Sequence, residues 1–243
     1  MQLIKNNPYR TVGLLVGATA RETKIDNQVI SKQRVADHGE VFTAQREVQA
    51  MLDLVKHETE RIDSRFLEPA CGTGNFLVEI LKRKLTVVED RYLKSRIEFD
   101  RYSLIAVASL YGIDLLEDNV IACRKRLLEL FLARYQSHFK TVKKDFLRSI
   151  QFILFRNIIH GNALTLESEG LYNEPIVFSE WSLVYGNMIQ RRDFKMVTLL
   201  ANQPINEPNL FSDLGDDAFI PTPVKHYPLQ SLYDLAEDVQ SKL

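Results

Sequence analysis

The segment Glu68-Pro69-Ala70-Cys71-Gly72-Thr73-Gly74-Asn75-Phe76 decides the fold class of this chain. A short extended run, residues 65–70, leads into it, and residues 75–84 follow with apolar side chains at the i, i+4 spacing of a helix. Glycines between a strand and a helix let the backbone approach a ligand closely. A G-x-G spacing alone is a weak signal, because a tight turn without a ligand produces it too.

Strand and helix candidates alternate on both sides of this turn. Thr43 is a candidate N-cap for a helix that carries Val48, Met51, Leu52 and Val55 on one face. The dense charges of Leu85–Arg101 indicate a surface helix or an insertion. Further candidates are the strand Leu110–Leu115, the helix Val120–Phe131, the apolar segment Phe146–Phe155 and the strand Asn157–His160. Two more apolar segments, Glu174–Trp181 and Lys195–Ala201, are candidates for a strand or a helix. This alternation favours an α/β fold with a parallel sheet and crossover helices.

Composition limits the classes of protein that the chain can belong to. Its 243 residues are 45% hydrophobic with a formal net charge of -1, which fits one domain with small appendages and not a strongly basic nucleic-acid binder. The two cysteines and five histidines show no metal-ligand spacing, so no metal is expected. The first ten residues lack the apolar core of a signal peptide, and Val12–Ala18 is too short to span a bilayer. We therefore expect a cytoplasmic protein without a membrane partner.

The glycine segment resembles the first cofactor motif of the S-adenosylmethionine (SAM)-dependent DNA adenine-N6 methyltransferases, the modification subunits of restriction systems. The stretch Gly39-Glu40-Val41-Phe42-Thr43 is similar to the SAM-contacting loop of that family, with Ala44 where the family usually has Pro. The resemblance covers roughly residues 34–165. It implies a Rossmann-like fold, with a doubly wound, mostly parallel sheet, helices on both faces and the strand of the glycine turn at the centre.

The resemblance also implies the residues that hold SAM. It assigns the methionine end to Glu68, Ala70, Gly72 and Gly74, the helix beneath it to Asn75 and Phe76, and the opposite wall to Phe42 and Thr43. An acidic residue at the end of a strand suits the amino group or sulfonium of the cofactor. SAM is accordingly the expected cofactor.

The next strand candidate supplies the expected ribose and adenine contacts. Asp114 ends it, where a doubly wound sheet places a carboxylate on ribose hydroxyls; the alternative is a solvated Asp that caps the helix from Glu117. Ile113 and Leu115 would flank the adenine ring. Asn162 occupies the position where the family commonly has an Asp that contacts the adenine amino group, and an amide can still offer an acceptor.

The catalytic motif of the family is missing. Adenine-N6 methyltransferases use Asn/Asp-Pro-Pro-Tyr, whose oxygens accept the amino hydrogens and whose ring stacks on the flipped base. No Pro-Pro dipeptide occurs in the 243 residues. The nearest match is Asn202-Gln203-Pro204-Ile205, in which Asn202 is the catalytic candidate and Trp181 or Tyr185 could provide the ring. The alternative is an ordinary loop.

Three functions remain open at this point. The family implies a site-specific DNA adenine-N6 methyltransferase of the restriction-modification type, with DNA and a restriction or specificity subunit as partners. The missing motif favours a SAM-binding pseudo-methyltransferase that acts as a subunit or regulator, and an RNA or protein methyltransferase is a weaker option.

The sequence predicts three segments and contains a group of basic residues in its middle. We expect an N-terminal extension at residues 1–33, a methyltransferase domain at 34–202 and a C-terminal tail at 203–243 with little regular structure beyond a short helix near Leu229–Val239. Basic side chains in mid-chain could contact DNA phosphates or could simply form a solvated helix face: Arg124, Lys125, Arg126, Arg134, Lys140, Lys143, Lys144, Arg148, Arg191 and Arg192.

Overall fold

The computed structural model describes residues 43–170, 172–200 and 221–236. Its helices are α1 (Gln45–Asp53), α2 (Lys56–Thr59), α3 (Asn75–Tyr92), α4 (Arg96–Ala108), α5 (Glu117–His138), α6 (Lys144–Asn157) and α7 (Met196–Leu200). Its strands are β1 (Phe66–Glu68), β2 (Leu110–Asp114), β3 (Ile158–Asn162), β4 (Glu167–Ser168), β5 (Val177–Tyr185), β6 (Met188–Lys195), β7 (Lys225–His226) and β8 (Gln230–Ser231).

A parallel sheet with crossover helices forms the first half of the described chain, as the sequence predicted. Strands β1, β2 and β3 are adjacent and parallel, with Phe66 opposite Leu110 and Gly112 opposite Ile158. Helices α3 and α4 connect the first pair, and α5 and α6 connect the second pair. Strand β4 adds an antiparallel edge beside β3. The mixed α/β class and the strands at Leu110–Leu115 and Asn157–His160 are thereby confirmed.

The alternating side chains of β2 enter two different cores. Leu110 belongs to the large core that helices α3 to α6 build, and a Cβ placed on Gly112 would lie 3.0 Å from Leu77 of α3. Tyr111 and Ile113 point the other way, into a smaller cluster that Ile176, Phe178 and Met196 complete. The sheet is therefore buried on both faces, as parallel sheets require.

An antiparallel hairpin, not a further crossover, covers the second face. Strands β5 and β6 pair antiparallel through a two-residue turn at Gly186 and Asn187, where Gly186 has φ +52°. Glycine at the first position of such a turn is typical of type II′ hairpins. Tyr111 of β2 donates a 3.0 Å hydrogen bond from its hydroxyl to the Ser179 carbonyl, which fastens the hairpin to the sheet.

Two details of the doubly wound expectation are wrong for the described residues. Strand β1 pairs with β2 alone there and lies at the edge of the sheet, not at its centre. The second face carries the hairpin and the first residue of the short helix α7, where crossover helices were expected. The reason is the turn at Gly186, which sends the chain back antiparallel. A parallel neighbour for β1 would need a crossover instead.

The charged stretch around Leu85–Arg101 is part of the core and not a surface insertion. Within this stretch α3 buries Leu85 and Val88, and α4 buries Phe99, all completely or nearly so. It also buries Asp100, whose carboxylate accepts hydrogen bonds from the hydroxyls of Tyr135 at 2.5 Å and Tyr233 at 2.9 Å. Charged residues on the other face of these helices made the segment look exposed when only its composition was considered.

The ends of the described chain differ in detail from expectation. Helix α1 begins after Ala44, not Thr43, and no side chain caps it. In the tail, β7 and β8 pair with β6, and turns occupy residues 232–236, where a helix near Leu229–Val239 was expected. Buried Leu232 and Leu235 attach this segment to the large core.

Candidate functional site

The glycine turn follows β1 directly and adopts backbone angles that favour glycine. Gly72 has φ +52° and Gly74 has φ +87°, the left-handed region that side chains disfavour. The Cys71 N–H donates to the Ile113 carbonyl at 2.9 Å, so the chain remains beside β2 after β1 ends. Gly74 then stands as the N-cap of α3, which has no side-chain cap and no acidic residue in its first turn. The first N–H groups of this 18-residue helix consequently face an anion-binding position.

Asp114 connects the end of β2 to the turn that follows β1. Its Oδ2 accepts a 2.7 Å hydrogen bond from the Gly72 N–H. Its Oδ1 accepts from the Leu116 N–H at 2.9 Å and from the Asn119 side-chain amide at 3.1 Å. With 8% of its surface exposed, Asp114 is buried and not solvated. It thus holds the start of α5, and a carboxylate oxygen that accepts one bond still has a lone pair for a hydroxyl donor.

The loop before α1 reaches the glycine turn through Asn75. The Asn75 side-chain amide donates to the Thr43 carbonyl at 3.1 Å, and its Oδ1 accepts from Nη1 of Arg126 at 2.8 Å. The same Nη1 donates to the carbonyl and the hydroxyl of Thr73, at 2.7 Å and 2.9 Å. From the sequence, Thr43 and Asn75 were expected on different walls of one pocket, and this role of Arg126 was not predicted. A basic residue within a long charged helix carries no sequence signal of it.

Glu68 ends β1 as a half-buried carboxylate. Burial raises the pKa of the Glu68 carboxyl, and a hydrogen bond from the Ala70 backbone partly offsets this rise. In the part of the chain that the structure describes, no cationic side chain forms an ion pair with it. A cationic ligand group beside Glu68 would stabilise its charged form. This is the electrostatic environment that a ligand ammonium or sulfonium would complement.

Two buried thiols form the packed floor of the turn. A Cβ on Gly74 would lie 2.6 Å from the Cys123 Sγ, and a Cβ on Gly112 would lie 3.0 Å from the Cys71 Sγ. The contact with Cys123 and then burial raise the pKa of the Cys71 thiol, so the Cys71 thiol stays protonated. Gly74 is accordingly required for the close approach of α3 and α5. Phe76 packs partly buried against the same core.

At the end of β2, Ile113 and Leu115 differ in their access to a ligand. Ile113 is fully buried in the smaller core, whereas Leu115 is 44% exposed. Of these two predicted adenine contacts, Leu115 is the side chain that a ligand could reach. The Leu115 carbonyl also lies 3.0 Å from the Nε2 of His160 on β3.

At the end of β3, Asn162 opens the turn to β4. Its Oδ1 accepts from the Leu164 and Thr165 N–H groups at 2.9 Å and 3.4 Å, an Asx-type turn. These two bonds occupy the acceptor side of the amide and leave the nitrogen side for a ligand.

Most of the basic residues suggested for DNA bind other parts of this chain. Arg191 is 5% exposed and pairs with Asp193 at 2.8 Å, so it cannot reach a phosphate. Arg124 donates from Nε to the Ile158 carbonyl at 3.0 Å, and Arg134 pairs with Glu89. The exposed members are Lys125 on α5 and, around the start of α6, Lys140, Lys143, Lys144 and Arg148.

A separate cleft lies at the opposite end of the strands. It has a volume of about 590 Å³, and its walls include Arg65 and Ser109, which precede β1 and β2. Tyr92 and Tyr102 stack there with ring centroids 3.8 Å apart, beside Trp181. In α/β sheets ligands bind at the carboxyl ends of strands, so we assign the candidate site to the glycine turn and not to this cleft.

A comparison with family models gives a match to this chain. A family model described as "MmeI, DNA-methyltransferase domain" matches residues 42–187. The chain belongs to this family. The match spans the glycine turn, Asp114 and Asn162, which supports a DNA methyltransferase domain of the restriction-modification type. No curated protein and no solved structure is similar enough to the chain to count as a match.

Two of the predicted site residues lie outside the part of the chain that the structure describes. Phe42 and Asn202 both lie outside the described residues, and Asn202 is also outside the matched range. In the described ranges, no cluster of His, Cys, Asp and Glu could hold a metal ion. None of the helices there combines the length and apolarity that crossing a bilayer requires.

Proposed function

We propose that this MmeI-family chain is a SAM-dependent DNA methyltransferase of the adenine-N6 class. The observation that carries the proposal is the hydrogen bond of 2.7 Å from Gly72, in a turn of positive φ, to Asp114. It joins the carboxyl ends of two neighbouring parallel strands. A glycine turn at one strand end and an acid at the next is the arrangement that binds adenosine-containing cofactors in α/β sheets.

The described residues fit the charges of SAM. The half-buried carboxylate of Glu68 lacks a cationic partner in the described chain and would take the ammonium or sulfonium. The uncapped start of α3 beyond Gly74 would take the carboxylate of the methionine portion. Ala70 is exposed beside the turn and Phe76 supports it from below. The two charges of the amino acid portion thus have complementary partners on opposite sides of the turn.

The adenosine portion would lie along the ends of β2 and β3. Asp114 would accept a ribose hydroxyl on Oδ2 in addition to the Gly72 N–H. Leu115 offers the exposed apolar surface for the adenine ring, with Ile113 as its buried support. Because Oδ1 of Asn162 already accepts two bonds, its amide nitrogen would donate to an adenine ring nitrogen. Phe42 and Thr43 would close the opposite side.

Methyl transfer needs chemistry beyond this cofactor site. Bound SAM would supply an electrophilic methyl group on its sulfonium. The chain's own contribution is to hold the adenine amino nitrogen in line with that methyl and to accept its hydrogens. Asn202 is our candidate for the acceptor, with Trp181 or Tyr185 as the stacking ring. Tyr185 is 63% exposed, whereas Trp181 is 6% exposed and donates to Asn157, so Tyr185 is the more accessible of the two.

The alternative function is a SAM-binding subunit or regulator that does not transfer methyl groups. The absence of any Pro-Pro dipeptide in the 243 residues favours it. Under either function we propose residues 34–202 as the methyltransferase domain, with an extension at 1–33 and a tail at 203–243. DNA is the proposed substrate or ligand, and a restriction or specificity subunit is the proposed protein partner.

Calorimetry with SAM and S-adenosylhomocysteine tests the cofactor, and a tritiated-methyl assay on DNA, RNA and protein tests the reaction. We expect micromolar binding, about 8 kcal/mol in favour of the complex. Gly72→Val should weaken binding at least tenfold because valine disfavours φ +52°. Gly170→Val is the matched control, since a Cβ at Gly170 meets nothing within 4 Å. Failure of the wild-type protein to bind either ligand would refute the proposal.

A further inference from the structure

The Arg126 side chain forms hydrogen bonds with the glycine turn. It lies in the middle of α5, yet its Nη1 contacts three oxygens of the turn, two from Thr73 and one from Asn75, at 2.7 to 2.9 Å. Arg126 lies 53 residues after Thr73 and 51 residues after Asn75 in the sequence. The guanidinium is partly buried, and burial lowers the pKa of Arg126 without removing its charge. Charge-assisted bonds of this kind are stronger than neutral ones.

The Asn75 side chain transmits this contact to a second segment. Its Oδ1 faces Arg126, and its nitrogen donates to the Thr43 carbonyl. An amide whose two ends are both engaged has a fixed orientation, so the loop at Thr43 is held in register with the turn. Arg126, Asn75 and Thr43 therefore form a chain of contacts from α5 to the residues ahead of α1.

Backbone bonds hold parts of the turn: the Gly72 N–H donates to Asp114, and the Gly74 N–H donates to the Cys71 carbonyl at 2.8 Å. Gly72 and Gly74 contribute no side chains, and their positive φ angles are readily exchanged for others in a free glycine. The Thr73 carbonyl shares a peptide unit with the Gly74 N–H, and the guanidinium holds it from its own side at 2.7 Å. An arginine that fixes this carbonyl also fixes the direction of the neighbouring N–H groups.

We propose that Arg126 is a positioning residue for SAM. It preorganises the glycine turn directly and the Thr43 loop through Asn75, so that both sides of the cofactor pocket are set before the ligand arrives. Preorganisation of this kind raises affinity because less ordering is required on binding. The inference rests on the proposed function, since it concerns the same site.

A purely structural role for Arg126 makes a different prediction, and Arg124 distinguishes the two. Arg124 lies on the same helix, is also partly buried and also donates to a backbone carbonyl, that of Ile158. Its bonds to the Ile158 and Phe155 carbonyls join α5 to the start of β3 and the end of α6. Removing either guanidinium should lower stability, but only Arg126 should affect the cofactor.

The experiment compares Arg126→Met with Arg124→Met in the full chain. We expect Arg126→Met to weaken SAM binding at least tenfold in calorimetry and Arg124→Met to change it less than twofold, with comparable decreases in Tm. Arg126→Lys, which keeps the charge but not the fork of donors, should recover part of the affinity. Equal losses of SAM affinity in the two methionine variants would overturn the inference.

Hydrogen exchange of the ligand-free protein separates this inference from the proposed function. Arg126→Met should accelerate exchange in peptides covering residues 69–76 and 43–48, and Arg124→Met should not. Asn75→Asp keeps an acceptor for Arg126 but loses the donor to Thr43, so it should accelerate exchange in 43–48 more than in 69–76. Unchanged exchange of 69–76 in Arg126→Met would overturn the positioning role. Wild-type protein that fails to bind SAM, with exchange altered as expected, would refute the proposed function but support Arg126 as the residue that positions the turn.

Discussion

The Gly72 N–H donates a 2.7 Å hydrogen bond to Oδ2 of Asp114. This bond connects the turn after β1 to the end of β2, and the other carboxylate oxygen holds the start of α5 through the Leu116 N–H. One buried acid thus fixes three elements that meet at the carboxyl end of the sheet. Ribose binding and helix capping, which the sequence presented as alternatives for Asp114, are compatible in this geometry.

Replacing Asp114 should impair both stability and cofactor binding. Asp114→Ala removes an acceptor from three donors, and leaving buried donors unsatisfied costs on the order of 1–3 kcal/mol. We expect at least tenfold weaker SAM binding by calorimetry and a lower urea midpoint. Asp145→Ala serves as the control, because Asp145 is exposed and pairs only with Arg148 across one turn of α6. Undiminished SAM affinity in Asp114→Ala would show that this carboxylate does not contact the ribose.

Gly74 and Cys123 should be coupled in stability. Gly74→Ala would place a Cβ 2.6 Å from the Cys123 Sγ at a backbone φ of +87°. Strain in the left-handed region and overpacking each cost roughly 1–3 kcal/mol. Cys123→Ala removes the sulfur, so Gly74→Ala should destabilise that background less than it destabilises the wild type. A double-mutant cycle by urea denaturation measures the difference, and strict additivity would contradict the contact.

Lys84 should make the stability of the protein depend on pH above neutrality. The Lys84 ammonium is fully buried and donates to the Ile62 carbonyl at 3.2 Å and the Ser109 hydroxyl at 2.5 Å. Burial lowers the pKa of Lys84 from 10.5 to about 7. Between these values the unfolded chain binds the extra proton, so the free energy of unfolding should rise with pH, by at most about 1.4 kcal/mol per pH unit.

The measurement is a urea titration at pH 7, 8 and 9 on the wild type and Lys84→Met. The rise in stability should occur in the wild type and be absent from the variant. Parallel pH profiles for the two proteins would show that Lys84 keeps its proton when buried.

Asn202 should affect methyl transfer without affecting the cofactor. If it accepts a hydrogen from the target amino group, Asn202→Ala should lower transfer to DNA by about 10²–10³. SAM affinity should stay within twofold, because Asn202 would face the base. Asn206→Ala, a neighbouring amide without an assigned role, is the control. Robust methylation by Asn202→Ala would assign the chemistry to another residue, with Trp181 and Asn187 the next to test.

Local signals in the sequence were sufficient to predict the glycine turn and the strands β2 and β3, but not the edge position of β1. A glycine turn needs positive φ wherever it occurs, and Gly72 and Gly74 have it. The apolar run at Leu110 and the segment after Asn157 form β2 and β3, which are neighbouring parallel strands. Short strands that are separated by helices have few other ways to pair. Asp114 ended its strand beside the turn for the same reason.

Long-range contacts were beyond sequence reasoning. The hairpin of β5 and β6 was not predicted, because its position depends on the face of the sheet that it covers and not on its own residues alone. Arg126 and Arg191 belonged to one pattern of basic residues. In the structure Arg126 binds the glycine turn, while Arg191 is enclosed between Tyr227 and Asp193. Charge alone does not distinguish a solvated side chain from a buried, paired one.

The bond between Gly72 and Asp114 has a consequence for the order of folding. It spans 42 residues, and the contact between Thr73 and Arg126 spans 53, whereas the helices in between form through local contacts. Closing long loops costs entropy before distant contacts are made, so non-local pairing of parallel strands is slow. We expect helices α3 to α6 to collapse first and the cofactor end of the sheet to assemble last. A ligand that binds only the assembled end would then act mainly on the unfolding rate, prolonging the lifetime of the native state.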